Sequence, residues 1–326
     1  MFGPYVHNID PIIGSIAGIH LWWYGLSYSL GFLNIYSFLR RKRAELGFSA
    51  QAVYTLALFV VVGVLVGGRF IQVVFYEWPF YRARPSLVPA YWIGGMATHG
   101  LLLGAVAAIF LFNRIYRKSF LVMTDALAVP AAFILGVGRL GNFIDGQIVG
   151  SITDMPWAVK FPDADGFRHP VVLYDGAKNL VLIPLLLSIG KRQPPQGVVT
   201  GVFLFLYAFL RIFIDFFREY PTTLLGLATG QSLNILMAFL GLLLFGCSMR
   251  RRGREAGRMP EGEISFREAS KALWWRRTLF VALLLFALTL PSDWTQDIPA
   301  RYGKRHAGLQ YSSVYPRINA ARAELK

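Results

Sequence analysis

Seven apolar runs of about 18 residues or more recur along the chain, at 12–38, 50–74, 91–112, 120–137, 171–189, 197–217 and 229–249. Runs of that length with few charges are the mark of transmembrane helices. In hydrocarbon every backbone donor and acceptor needs a partner within the segment or across a closed barrel. Barrel strands alternate apolar and polar positions, and these runs do not. An eighth candidate, 273–290, carries Arg276-Arg277 near its start and reads as either a short span or a surface helix. The expected fold class is therefore all-α, a polytopic membrane bundle of about seven helices with an eighth candidate near the C-terminus. Charged residues make up only 16% of the chain, against roughly 25% in soluble domains.

The excess of basic residues fixes the expected orientation. Loops at 39–49, 113–119, 191–196 and 250–277 hold 18 Lys and Arg; the opposite set, 1–11, 75–90, 138–170 and 218–228, holds 6. Lys and Arg concentrate on the cytoplasmic side, so the N-terminus is expected outside. The net charge of +15 is thus assigned to orientation and anionic headgroups, not to nucleic acid. Residues 1–11 contain no Lys or Arg, so no cleavable signal peptide is expected. Cys247 is the single cysteine, which excludes an intrachain disulfide framework or a cysteine metal site. Two regions follow: a membrane domain over 1–250, with a short outer segment at about 139–170, and an extension over 251–326. The extension comprises a basic linker, the 273–290 candidate and a polar tail. The 6 Lys and Arg of that tail argue against its lying outside.

Polar residues gather in the outer half of these runs. The stretch Gly136-Val-Gly-Arg139-Leu-Gly-Asn142-Phe-Ile-Asp145-Gly146 sets a guanidinium and an amide among glycines. Arg139 either reaches toward the headgroup layer or helps bind an anion as a planar fork of donors. At 1.5 Å per residue, Tyr24 lies roughly 18 Å, Arg69 roughly 9 Å and His99 roughly 12 Å below the outer ends of their runs. Arg211 and Asp215 are one helical turn apart and can pair with each other; that pairing does not account for Arg69, His99 and Arg139. Buried charges in a bilayer are costly unless they face a polar cavity or a partner. Arginines at headgroup depth suit a phosphate and a phosphate leaving group, and a histidine beside them suits proton removal near neutral pH. No cluster has metal-ligand spacing, no cofactor motif appears, and no inverted repeat points to a transporter.

Seven blocks in order resemble the prolipoprotein diacylglyceryl transferases of bacterial inner membranes. They are His20-Leu-Trp-Trp-Tyr24-Gly-Leu-Ser-Tyr28, Gly67-Gly-Arg69-Phe, Gly94-Gly-Met-Ala-Thr-His99-Gly100 and Gly138-Arg139-Leu-Gly-Asn142-Phe-Ile-Asp-Gly146. Arg168-His169-Pro170 with Leu173-Tyr174, Arg211-Ile-Phe-Ile-Asp215-Phe-Phe-Arg218 and Gly230-Gln231-Ser232 follow. The resemblance implies transfer of the diacylglyceryl group of phosphatidylglycerol to the lipobox cysteine of a prolipoprotein signal peptide, releasing glycerol phosphate. It implies His99, Arg139 and Arg211 as catalytic residues: two arginines on the phosphate and a histidine that deprotonates the thiol. It also implies Tyr24, Asn142 and Gly146 in the lipid site, with Arg69, Asp215 and Arg218 supporting its electrostatics.

The chain differs from the family pattern at several points. Leu101 follows Gly100, Asp145-Gly146-Gln147 replaces an Asn-Gly-Glu, Val171-Val-Leu-Tyr-Asp175 replaces a Ser-Gln-Leu-Tyr-Glu, and Asp215 stands for a glutamate. These differences, and the added extension, motivate a second reading: a non-catalytic relative that serves as an assembly subunit of a membrane complex, contacting its partner through the extension.

Overall fold

A computed structural model of the chain describes residues 4–218, 229–251 and 270–292, with short pieces of the tail between 298 and 316. Residues 12–38 do not form one helix. After Tyr5–Val6 (β1), Ile12–Ile16 (β2) and Ile19–Trp22 (β3) pair antiparallel. The turn between them is Ala17-Gly18, with φ of 50° and 81°. Two successive positive φ values give the tight turn whose twist matches a hairpin, and the isoleucines on both sides favour strand. The first helix, α1, begins only at Trp23 and runs to Arg41. Tyr24, expected deep in a span, is instead the second residue of α1 at the hairpin end of the bundle.

The second helix, α2, covers Ala50–Ile71, with the Ser49 hydroxyl accepting from the Ala52 amide at 3.2 Å. A π turn at Gln72–Tyr76 prolongs it, and α3 (Trp78–Ala83) follows. Residues 91–97, expected as the start of a span, are not α-helical. A 3₁₀ turn at Tyr91–Ile93 leads into Gly94 and Gly95 at φ 89° and 91°, a conformation closed to an α-helix. The next helix, α4, therefore spans Thr98–Tyr116.

The helix α5 runs over Phe120–Ile144, straight through the glycine–arginine stretch that the sequence reading assigns to a loop from residue 139. Its glycines act as contact points rather than breaks. A Cβ on Gly141 would lie 2.9 Å from the Tyr24 Cα, and one on Gly136 would lie 2.7 Å from Leu180. A short strand β4 (Val159–Lys160) pairs parallel with β1. The helices α6 (Val171–Lys191), α7 (Val198–Asp215) and α8 (Thr229–Arg250) complete the region. The start of α7 is capped by Asp125 of α5, whose carboxylate accepts from the Gly197 and Thr200 amides, each at 2.7 Å.

Five segments are long and apolar enough to cross a membrane by length and composition: α2 with its π turn, α5, α6, α7 and α8. The helices α1 and α4 complete the bundle. The helix α2 lies against α4 and α1, α5 contacts α1, α4, α6 and α7, and α7 contacts α6 and α8. The α2–α4 contact is a crossing of two glycine pairs four residues apart. A Cβ on Gly104 would collide with the Gly63 carbonyl, and one on Gly100 with the Gly67 carbonyl. Small residues at this spacing let helix backbones touch in a membrane. Gly104→Val is expected to cost about 1–3 kcal/mol or more through overpacking, read as a lower thermal midpoint in detergent; an unchanged midpoint would contradict the packing.

The helix α9 (Ser270–Ala287) lies along α1 and α2. At one end the Arg276 Nε donates to Thr55 at 2.9 Å; at the other the Trp22 amide donates to the Leu288 carbonyl at 2.9 Å. Thr55 is near the start of α2 and Trp22 precedes α1, so α9 reaches between opposite ends of the bundle. The short α10 (Ile298–Tyr302) and the tail then pack at the hairpin end. Charge counting points the tail to the other end. Burial of Ile298, Tyr302, Leu309 and Tyr315 among Trp22 and Ile93 outweighs it.

Candidate functional site

Between α1, α2, α4, α5 and α7 lies an apolar cavity of about 230 Å³. Aliphatic and aromatic side chains line most of it; Tyr24, Arg139 and Asn142 form a polar end. Tyr24 reaches this wall because the hairpin delivers it at the first turn of α1, and its hydroxyl sits 3.2 Å from that of Tyr28.

Arg139 and Arg211, on α5 and α7, meet on a single carboxylate. The Arg139 Nε donates to Asp175 Oδ2 at 2.7 Å, and the Arg211 Nη1 donates to the same oxygen. The other oxygen faces the Lys178 Nζ at 2.9 Å. Asp175 and Lys178 project from one face of α6, and Lys178 also lies 3.9 Å from the Tyr207 ring centre. The Asp175 side chain is 1% exposed, and those of Arg139 and Arg211 are 15% and 12% exposed. The guanidinium groups therefore keep some accessible surface and the carboxylate almost none. A buried ion cluster is tolerable only with close geometry and mutual compensation, and three cations around one carboxylate leave an excess of positive charge.

Asp215 extends the cluster. It accepts from the Arg211 Nε at 3.2 Å and lies 3.7 Å from the Arg218 Nη1, while the Asn234 amide donates to it at 3.3 Å. Asn142 accepts from the Arg139 Nη1 at 3.2 Å. Its own Nδ2 is buried with no partner among the described residues. A buried donor left unmade costs about 1–3 kcal/mol, so its presence at the cavity wall fits an acceptor-bearing ligand.

Other residues singled out by sequence are not brought to this cluster. Arg69 is buried at the end of α2, where its guanidinium donates to the carbonyls of Leu87, Val88, Ala90, Gly94 and Gly95. The rings of Tyr81 and Tyr91 lie at 5.0 and 5.3 Å. It thus organises the loop that leads into α4. Gly146, at φ 67°, closes α5: its amide donates to Phe143 O and the Gln147 amide to Asn142 O. A left-handed residue here satisfies the last helical carbonyls. His99 is the second residue of α4, and its side chain lies outside the described residues.

A small outer layer covers the α5 C-terminus. The His7 Nε2 donates to Phe143 O at 2.8 Å, and His169 shares a 3.1 Å hydrogen bond with the Tyr174 hydroxyl. Burial holds both imidazoles below the usual histidine range.

Asp175 and Lys178 are the residues that the sequence reading misses. It treats Asp175 only as a motif difference and passes over Lys178. The signal is present: an acid and a base three apart in the first half of a largely apolar 21-residue helix, a spacing that pairs them on one face.

Fold and site together define a multi-pass helical membrane protein with an apolar cavity and a half-buried arginine pair at its polar end. The chain belongs to the prolipoprotein diacylglyceryl transferase family, whose model matches residues 11–247. Among curated relatives, the phosphatidylglycerol–prolipoprotein diacylglyceryl transferase of Geobacter sulfurreducens is 37% identical over 258 residues, covering 75% of this chain and 97% of the relative. The transferase of the same name from Mannheimia succiniciproducens is 38% identical over 255 residues, with 75% and 95% covered. That of Nitrosomonas europaea is 39% identical over 258 residues, with 76% and 92% covered. The family match ends before α9 and the tail.

Proposed function

We propose that this protein transfers the diacylglyceryl group of phosphatidylglycerol to the lipobox cysteine of a prolipoprotein signal peptide. The observation that carries the reading is the meeting of Arg139 and Arg211 on Asp175 at the polar end of an apolar cavity. Acyl chains suit the cavity, and the phosphate suits the exposed side of the two guanidinium groups. Asn142 supplies a further donor to the headgroup. The cysteine sulfur, as thiolate, attacks the glyceryl carbon that bears the phosphate. The carbon–oxygen bond breaks, its electron pair stays on the phosphate oxygen, and glycerol phosphate leaves as a thioether forms. His99 takes the thiol proton. Negative charge thus moves from sulfur to phosphate, where the arginines stabilise it as it develops.

The threefold basic excess of the opposite loops, 18 Lys and Arg against 6, supports placing the hairpin end outside the cytoplasmic membrane. Preproteins arrive on that side. The test is direct. Purified protein in phosphatidylglycerol vesicles, given a synthetic lipobox peptide, is expected to release glycerol phosphate and to yield a diacylglyceryl-modified peptide. Folded protein that produces neither would overturn the reading.

A further inference from the structure

The transfer reaction changes the charge of its phosphate. The bound diester carries one negative charge, and the glycerol phosphate that leaves carries two once the carbon–oxygen bond has broken. A site that favours the transition state must bind the second form better than the first. Arg139 and Arg211 alone do not supply this, because Asp175 bonds to both and cancels one of their two charges.

Lys178 changes that balance. Its ammonium lies 2.9 Å from the Asp175 oxygen that faces away from the arginines, donates to the Tyr207 carbonyl at 3.2 Å, and is 5% exposed. It is too enclosed to touch a ligand in the cavity, so whatever it contributes passes through Asp175. A second carboxylate follows one turn from Arg211: Asp215 bonds to Arg211 through the same oxygen that lies 3.7 Å from Arg218. Each carboxylate that bonds to Arg211 thus has a further cation beside it, but only at Asp175 does that cation sit on the oxygen away from the arginines. The six groups, four cationic and two anionic, together carry two positive charges.

We propose that Lys178 is a positioning residue that neutralises Asp175 from behind, so that Arg139 and Arg211 present two uncompensated charges to the departing phosphate dianion. The inference rests on the transferase reading above. Low local dielectric makes the extra charge effective at this range, and without it the site would match the diester that binds rather than the monoester that leaves.

The test compares two inhibitors of transfer at pH 8: glycerol phosphate, a dianion there, and glycerophosphoglycerol, a diester monoanion. Wild type is expected to favour the dianion. In Lys178→Met the inhibition constant for glycerol phosphate should rise about tenfold, the scale of one 1.4 kcal/mol step. That for the diester, and the KM for phosphatidylglycerol, should each change less than about threefold, while kcat falls by a factor like that for the dianion. Lys178→Arg should keep the preference. The double variant Asp175→Asn with Lys178→Met restores the charge count and should regain it. If both constants shift in parallel, or neither moves, the proposal is wrong. Should Lys178→Met fail to fold, the arginine and double variants decide: loss of dianion preference in either sinks the idea. A wild type that releases no glycerol phosphate would instead overturn the transferase reading itself.

Discussion

Arg139→Ala is expected to lower glycerol phosphate release by about 10³-fold, the upper range for removing one donor aimed at a developing anion. The variant should stay folded, because Asp175 keeps Arg211 and Lys178 as partners. The loss should fall on kcat/KM for phosphatidylglycerol, measured in vesicles with a saturating lipobox peptide. Arg139→Lys should recover little. The Nε bond to Asp175 and the Nη1 bond to Asn142 use two corners of a planar fork, and an ammonium cannot hold both while facing a phosphate. Near-normal turnover in the alanine variant would remove the phosphate from this part of the cavity.

The second large effect is on stability. Asp175→Ala strips the shared counter-charge from Arg139, Arg211 and Lys178 while all three remain largely enclosed. Removing one partner of a buried ion pair costs about 3–5 kcal/mol, and here three helices, α5, α6 and α7, lose a common tie. The expected outcome is a sharply lower thermal midpoint in detergent, with little protein recovered from membranes. Asp175→Asn should be milder, since the amide oxygen still accepts one hydrogen bond. Equal midpoints for wild type and the alanine variant would mean that the cluster does not hold α5, α6 and α7 together.

Much of this arrangement is legible in the sequence, and the gaps have physical causes. Apolar run length sets the positions of α2, α5, α6, α7 and α8, because a bilayer tolerates little else. It misplaces two starts. Residues 12–22 are apolar enough to extend α1, yet the Ala17-Gly18 turn folds them into a hairpin. Residues 91–97 are apolar as well, but Gly94 and Gly95 adopt φ values that a helix cannot use. Hydropathy does not register either event. The opposite error occurs at 139–144, where the glycine-rich sequence suggests a loop and Gly141 instead serves as a helix contact with Tyr24.

The site shows the same division. Arg139, Arg211, Asn142 and Tyr24 stand out as polar groups; Arg139, Asn142 and Tyr24 lie together at one end of the cavity, and Arg211 meets Arg139 on Asp175. Arg69 stands out for the same reason, but its five carbonyl partners come from residues 18 to 26 positions further along the chain. No local pattern announces such a cage. Asp175 is hidden for a related reason: its importance comes from helices on either side of its own.

The tail has a consequence for the order in which the molecule is completed. The Trp92 indole donates to the Val314 carbonyl at 2.8 Å, and the His20 amide donates to the Tyr315 hydroxyl at 2.7 Å. Trp92 belongs to the loop that enters α4, and His20 to the hairpin that sets Tyr24. Both segments leave the ribosome long before residues 314 and 315 do. Translation must therefore pass residue 315 before these two bonds form, and a copy ended ahead of that point would carry every residue of the arginine cluster with neither bond on its two approaches.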